Sequence, residues 1–212
     1  MIKVVVFDFD GTLVDSDAPI VKGFQQAFIE NNLPKPSKRR IFKYVGLRAE
    51  DWADALLYDL QVTGDPVKIG KRTLYLVEEF FSKTGKPMSS CIATLKKLKK
   101  QNTALAIISN DSSRNLHHVL TQLNLLQFFG EVIGVDQMPA PKPHPLALKK
   151  LLKKINVKPS ECIYVGDTEI DQAFAQQSGV KFALLKNTRN REVSADYKLR
   201  RLSDLLQVVN QC

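Results

Sequence analysis

Cysteine is scarce and scattered in this chain: Cys91, Cys162 and Cys212 are the only three among 212 residues. That excludes both the paired spacing of a zinc site and the density of a disulfide scaffold, so a reducing cytoplasm is the expected compartment. Long apolar runs are missing too. The first apolar stretch, "VVVF", is stopped by Asp8 and Asp10, too early and too acidically for a signal peptide or a membrane span, and a protein without a membrane anchor is expected. There is no internal repeat and no low-complexity tract. Acidic residues are in the minority, 22 against 31 lysines and arginines, for a formal net charge of +9 that favours anionic partners over long range. A nucleic-acid partner is not expected, because no basic stripe interleaved with aromatics and no known binding module accompanies the excess. The 13 basic and 7 acidic residues of 142–212, and "KKLKK" at 96–100, read as solvated helix faces.

What is present is an alternation of two periodicities. Ile2 to Phe9 is β-branched and apolar almost throughout, the pattern of a strand buried on both faces of a parallel sheet. The same pattern returns at "TALAIIS" (103–109), "EVIGV" (131–135), "CIYVG" (162–166) and "KFALL" (181–185). Helical spacing separates these segments: Leu95 and Leu98, then Leu116, Val119, Leu120 and Leu123, then Leu148, Leu151, Leu152 and Ile155. Strands alternating with helices in this way predict an α/β fold with a doubly wound parallel sheet. Residues 16–84 break the alternation with helical patterns only, around Phe24 and Phe28, around Trp52 and Leu56, and around Leu76 and Phe80. The expected organisation is therefore a core of residues 1–15 and 85–212 with a small all-helical domain, residues 16–84, inserted after the first strand.

In an open parallel sheet, ligands bind beyond the carboxyl ends of the strands. The first strand ends in Asp8 and Asp10, the second in Ser109 and Asn110, the fourth in Gly166 and Asp167, with Asp171 one helical turn later and Lys142 just ahead of a helix opened by Pro145. Residues two apart on a strand share a face, but Gly11 and Thr12 predict a turn that separates the two first aspartates. Crowded carboxylates repel unless positive charge lies among them, and a hard divalent cation with oxygen ligands supplies it; Mg2+ is the usual choice beside phosphate. Lys142 offers an ammonium for an anionic nucleophile or phosphate. Ser109, Asn110 and the amides opening the helix after Asp111 offer neutral donors to an anion. Carboxylate, metal, lysine and hydroxyl together describe phosphoryl transfer.

The strings "DFDGTLVDS", "IISN", "KPHP" and "GDTEID", in this order, resemble the four motifs of the haloacid dehalogenase-like hydrolase superfamily, and the first of them most resembles its phosphoglycolate-phosphatase-like branch. The resemblance implies a Rossmann-like core with a helical cap and hydrolysis of a small phosphorylated metabolite. It makes Asp8 the nucleophile and Asp10 the general acid and base. Ser109 and Lys142 would hold the phosphoryl group with Asn110 nearby, and Mg2+ would be ligated by Asp8, Asp167 and the backbone carbonyl of Asp10. Asp171 is open between a supporting role behind the metal and a surface charge at a helix start. Arg48, after the Gly46 turn, is a candidate substrate contact, and Ser16 with its neighbours Asp15 and Asp17 is expected to cap the first inserted helix. Three alternatives stand against this reading. Phosphosugar mutases of this type use a histidine in the cap, whereas His117, His118 and His144 all lie outside it. A silent binding protein that keeps the fold would be expected to lose one of the four polar positions, and all four are present; a dehalogenase would lack Asp10. No oligomeric state is specified by these residues.

Overall fold

In the computed structural model, which describes residues 1–211, the chain folds into two compact units, residues 1–14 with 87–211, and Asp15–Lys86. The elements in chain order are β1 (Val4–Phe7), β2 (Val14–Asp15), α1 (Asp17–Glu30), α2 (Lys38–Phe42), α3 (Ala49–Leu60), α4 (Pro66–Thr84), β3 (Lys86–Pro87), α5 (Cys91–Lys100), β4 (Ala104–Ile108), α6 (Ser113–Gln122), β5 (Glu131–Ile133), α7 (Leu146–Lys154), β6 (Cys162–Gly166), α8 (Glu169–Ser178), β7 (Lys181–Leu185), β8 (Tyr197–Leu199) and α9 (Leu205–Gln211). No helix of the described residues is long and apolar enough to cross a membrane.

The first unit is built on a six-stranded parallel sheet in the order β5-β4-β1-β6-β7-β8. β1 lies in the middle of the sheet beside β6, and both are buried throughout: Val4, Val5, Val6 and Phe7 of β1 are all buried. Phe7 lies opposite Ile107 of β4 and Val165 of β6, so the residues that follow these three strands emerge side by side at one edge of the sheet. On one side, Tyr164, Phe174, Leu148, Leu151 and Phe182 pack into a continuous apolar core with Val4 and Val6. The doubly wound sheet expected from the periodicity is present, with one strand more than the sequence predicts. β8 is a three-residue edge strand with exposed Lys198 at its centre, and such a segment carries no apolar run.

The second unit holds α1 to α4 around a core of Phe24, Phe28, Ile41, Trp52, Leu56, Ile69 and Leu76. The Trp52 ring lies 4.7 Å from that of Phe24, and its Nε1 donates to the Ile41 carbonyl at 2.7 Å. That bond satisfies the one polar atom of the largest side chain in the core. Gly70 lets α4 come against the start of α3, since a Cβ there would stand 2.7 Å from the backbone nitrogen of Glu50. Ser16 does occupy the N-cap position of α1, but its hydroxyl makes no capping bond. Where the chain passes between the units, β2 and β3 pair as a two-stranded ribbon.

Candidate active site

At the carboxyl edge of the sheet the apolar strands give way to buried charge. Asp8, Lys142, Asp167 and Asp171 are exposed by 6, 4, 3 and 0 %. Burying ions is costly unless each is paired and hydrogen-bonded, so the pairing identifies what the cluster is arranged to do. Lys142 Nζ donates to Asp8 Oδ1 at 2.6 Å and to Asp171 Oδ1 at 2.7 Å, and sits 3.1 Å from the Tyr164 hydroxyl. The backbone ahead of that ammonium is fixed by Asn110: Lys142 N donates to Asn110 Oδ1 at 2.8 Å, and Asn110 Nδ2 donates to the Lys142 carbonyl at 3.1 Å. Asn110, expected near the phosphoryl group, therefore spends its amide on the segment that carries the lysine.

Asp171 receives more donors than a ligand carboxylate can spare. Its Oδ1 takes Lys142 and the Tyr164 hydroxyl at 3.2 Å, and its Oδ2 takes the Thr168 hydroxyl at 2.6 Å and the amides of Thr168 and Asp167 at 3.1 and 3.3 Å. A carboxylate has about four lone-pair sites, so this one is fully used. Its geometry is that of a support beneath Lys142, and a surface charge is ruled out by its burial. Thr168, the N-cap of α8, returns the bond by accepting from Asp171 N at 3.2 Å.

Gly11 makes the turn that the sequence predicts, with φ +73°. The chain doubles back there, Gly11 N donating to the Val14 carbonyl at 2.9 Å. A Cβ at Gly11 would stand 2.7 Å from Asp167 Oδ2, so glycine serves both the left-handed backbone and the close approach of β1's end to Asp167. Asp10 is partly exposed on this turn and bridges Val14 through its backbone. Ser109 is buried at the end of β4, where its hydroxyl accepts from Asp111 N at 3.2 Å. The cap of α6 is Ser112, not Ser109. Arg48 belongs to the helical unit, where its guanidinium forks onto Asp51 at 2.7 and 2.9 Å.

Charge within the cluster is unbalanced. Burial and the neighbouring Asp171 carboxylate push Asp8 up to about 7, against the pull of Lys142. Burial opposes the Lys142 ammonium as well, but Asp171 and Asp8 hold it well above the ordinary lysine value. One ammonium thus serves two carboxylates while Asp167 stands beside them. Oxygens of Asp8, Asp167 and Asp171 lie within 4.8 Å of one another; Asp171, spent on its own donors, adds charge to this all-oxygen cluster, and Asp8 and Asp167 are its candidate ligands. That donor chemistry fits a hard divalent cation.

Several participants were not visible in the sequence. Tyr164 sits inside an apolar strand and reads as core, yet its hydroxyl, with one proton to give, lies between two acceptors, the Ile108 carbonyl at 3.0 Å and Asp171 Oδ1 at 3.2 Å. Beyond β7, Asn187 Nδ2 donates to Asp167 Oδ2 at 2.8 Å and Asn190 Nδ2 to the Asp167 carbonyl at 2.8 Å. The rule that singled out the other strand ends, applied to the end of β7, would have found them.

The fold that carries these positions is shared with known proteins. A family model described as haloacid dehalogenase-like hydrolase matches residues 5–185. The chain belongs to that family. Within it, the chain is 31% identical to the phosphoglycolate phosphatase of Vibrio parahaemolyticus, over 98% of this chain and 96% of that protein. It is 32% identical to the phosphoglycolate phosphatase of Vibrio cholerae over 84% of this chain and 81% of that one. The branch suggested by the first motif is thus the branch of these relatives. Among solved structures, a "predicted phosphoglycolate phosphatase" from Haemophilus somnus superposes with a TM-score of 0.88 at 22% identity, covering 98% of this chain and 97% of the other. A haloacid dehalogenase superfamily hydrolase from Geobacter sulfurreducens gives 0.76 at 23% identity, covering 98 and 96%. At those identities the two structures speak to the fold.

Proposed function

We propose that the protein is a Mg2+-dependent phosphatase that hydrolyses a small phosphate monoester, of the phosphoglycolate or sugar-phosphate kind, through a phosphorylated Asp8. The observation that carries this reading is the buried Asp8–Lys142–Asp171 chain at the edge where β1, β4 and β6 end, with Asp167 alongside. Phosphate monoesters hydrolyse so slowly in water that dividing the reaction into two displacements is a large gain. In the first, Asp8 attacks phosphorus, the ester P–O bond breaks, and the leaving oxygen takes a proton from Asp10. In the second, a water molecule attacks the phosphoaspartate, Asp10 takes the water's proton, and the bond from phosphorus to Asp8 breaks to release phosphate and restore the carboxylate.

Lys142 neutralises Asp8 and then the phosphoryl oxygens, and its position is set from below by Asp171 and Tyr164 and through its backbone by Asn110. The Ser109 hydroxyl is the neutral donor for a phosphoryl oxygen. Mg2+ would be held by Asp8, Asp167 and the carbonyl of Asp10; when bound it supplies charge against the crowded carboxylates and the phosphate. Arg48, now paired with Asp51, would be a substrate contact. The excess of basic residues is in keeping with an anionic substrate. Buried thiols at Cys91 and Cys162, both pushed up to about 12 by burial, take no part and suit a reducing compartment. The test is phosphate release from p-nitrophenyl phosphate and from a panel of small phosphoesters. Release that needs Mg2+ and stops with EDTA is expected, and none on any of them would overturn the reading.

A further inference from the structure

We propose that the loop of residues 187–190 tunes how tightly the acidic cluster holds its divalent cation, through two side chains that act on Asp167 in opposite directions. The inference rests on the metal-dependent reading above and concerns residues outside the four motifs. Asn190, only 5 % exposed, ties the loop down: its Nδ2 donates to the carbonyls of Asp167 at 2.8 Å and Leu185 at 3.0 Å, while its Oδ1 accepts from Asn187 N at 2.9 Å. Asn187 Oδ1 in turn accepts from Arg189 N at 2.8 Å. The loop is thereby fixed to the ends of both β6 and β7, and it presents two donors to one oxygen. Asn187 Nδ2 lies 2.8 Å from Asp167 Oδ2, and Arg189 Nη2 lies 3.6 Å from the same atom. The Thr12 hydroxyl stands on the other oxygen, Oδ1, at 3.5 Å.

The two donors differ in charge, and so in their effect on a cation. An amide orients the carboxylate and leaves its charge undiminished, which is how outer partners of metal ligands raise affinity. A guanidinium at the same oxygen neutralises the carboxylate and repels a second positive ion nearby. Asn187 is therefore a positioning residue that favours the bound cation, and Arg189 is a built-in competitor that weakens it. Arg189 also offers Asp167 a counter-charge while the cation is exchanged. Asn187 holds the carboxylate in place, and Arg189 keeps it from locking the cation in.

Isothermal titration of metal-stripped, full-length protein with Mg2+ reads the effect directly, without turnover. Asn187→Ala is expected to raise the Mg2+ dissociation constant by about tenfold. Arg189→Gln is expected to lower it by about three- to fivefold, with the gain shrinking as salt is added. Thermal melts without Mg2+ accompany each titration. If Asn187→Ala fails to fold, Arg189→Gln decides by itself. Unchanged or weaker binding by Arg189→Gln, or constants that move in the same direction for both variants, overturns the inference while the metal reading stands. Wild-type protein that takes up no Mg2+ overturns both.

Discussion

The two units of this protein handle charge in opposite ways. In the helical unit the ions are on the surface: Arg72 with Glu30, Lys43 with Asp59, Lys83 with Glu79 and Arg48 with Asp51 are all partly solvated pairs over an apolar core. In the sheet unit Asp8, Lys142, Asp167 and Asp171 are taken out of water at the end of the central strands. Exposed pairs contribute little to stability, whereas buried ones are costly to form and more costly to break. Among the described residues buried charge is confined to the sheet unit, where the proposed chemistry would lie, and the helical unit is held by packing.

The sharpest way to break that contrast is at Asp8. Asp8→Asn keeps the shape and removes the nucleophile, so turnover should fall by at least about a thousandfold, measured as phosphate release under Mg2+. Stability should move the other way. Burial and Asp171 raise Asp8 from 3.8 to about 7 in the metal-free fold, so its proton is held more tightly folded than unfolded. That contribution is complete below pH 3.8 and is lost as pH rises through about 7. Metal-free Asp8→Asn should therefore melt higher than wild type, and by a larger margin at pH 8 than at pH 5. An equal margin at both would remove the buried-charge argument.

Next in size is Lys142→Met, which leaves Asp8 and Asp171 buried with their shared ammonium gone. Urea unfolding at pH 8 should show a loss of about 3–5 kcal/mol, together with loss of turnover. Trp52→Ala probes the helical unit by its own means of cohesion. The ring is 6 % exposed and bonded to the Ile41 carbonyl, so a loss of about 3–5 kcal/mol is expected from the cavity alone. The smallest effect belongs to Glu30→Gln. Arg72 and Gln26 hold the Glu30 carboxyl down at about 2, below its ordinary 4.5. Its contribution is thus present above pH 4.5 and lost as pH falls through about 2. The pair is solvated, so the melting temperature of the variant at pH 7 should match wild type closely, and a large drop would contradict the division between the units.

What the sequence made legible follows the same division. Apolar runs located the four inner strands, because burial on both faces leaves a run of β-branched residues as in Val4–Phe7 and Cys162–Gly166, and also the edge strand β5, whose "EVIGV" keeps a short apolar run. Strand ends then pointed to Asp8, Ser109, Asn110 and Asp167. β8 escaped because its three residues, "YKL", put an exposed lysine at the centre of an edge strand and leave no apolar run, and α2 because its five residues, "KRRIF", are too few to show a period. The partnerships inside the site were equally hidden. Asp8 and Lys142 are 134 positions apart, and nothing in either neighbourhood states that one ammonium serves two acids. Asp171 was ambiguous for that reason, and its burial and its bonds to Lys142 and Thr168 appear only in three dimensions. Tyr164 shows the limit most clearly, since its ring belongs to the core and its hydroxyl to the site.

The central claim is that Asp8 carries the phosphoryl group. The direct measurement is peptide mass spectrometry of Asp10→Asn protein, acid-quenched during reaction with p-nitrophenyl phosphate and Mg2+, with Asp8→Asn as the matched control. The account predicts one added phosphoryl group, mapped to Asp8 and absent from the control. A phosphoryl group on any other residue, or a wild-type enzyme that turns over while neither it nor Asp10→Asn ever acquires one, would contradict it.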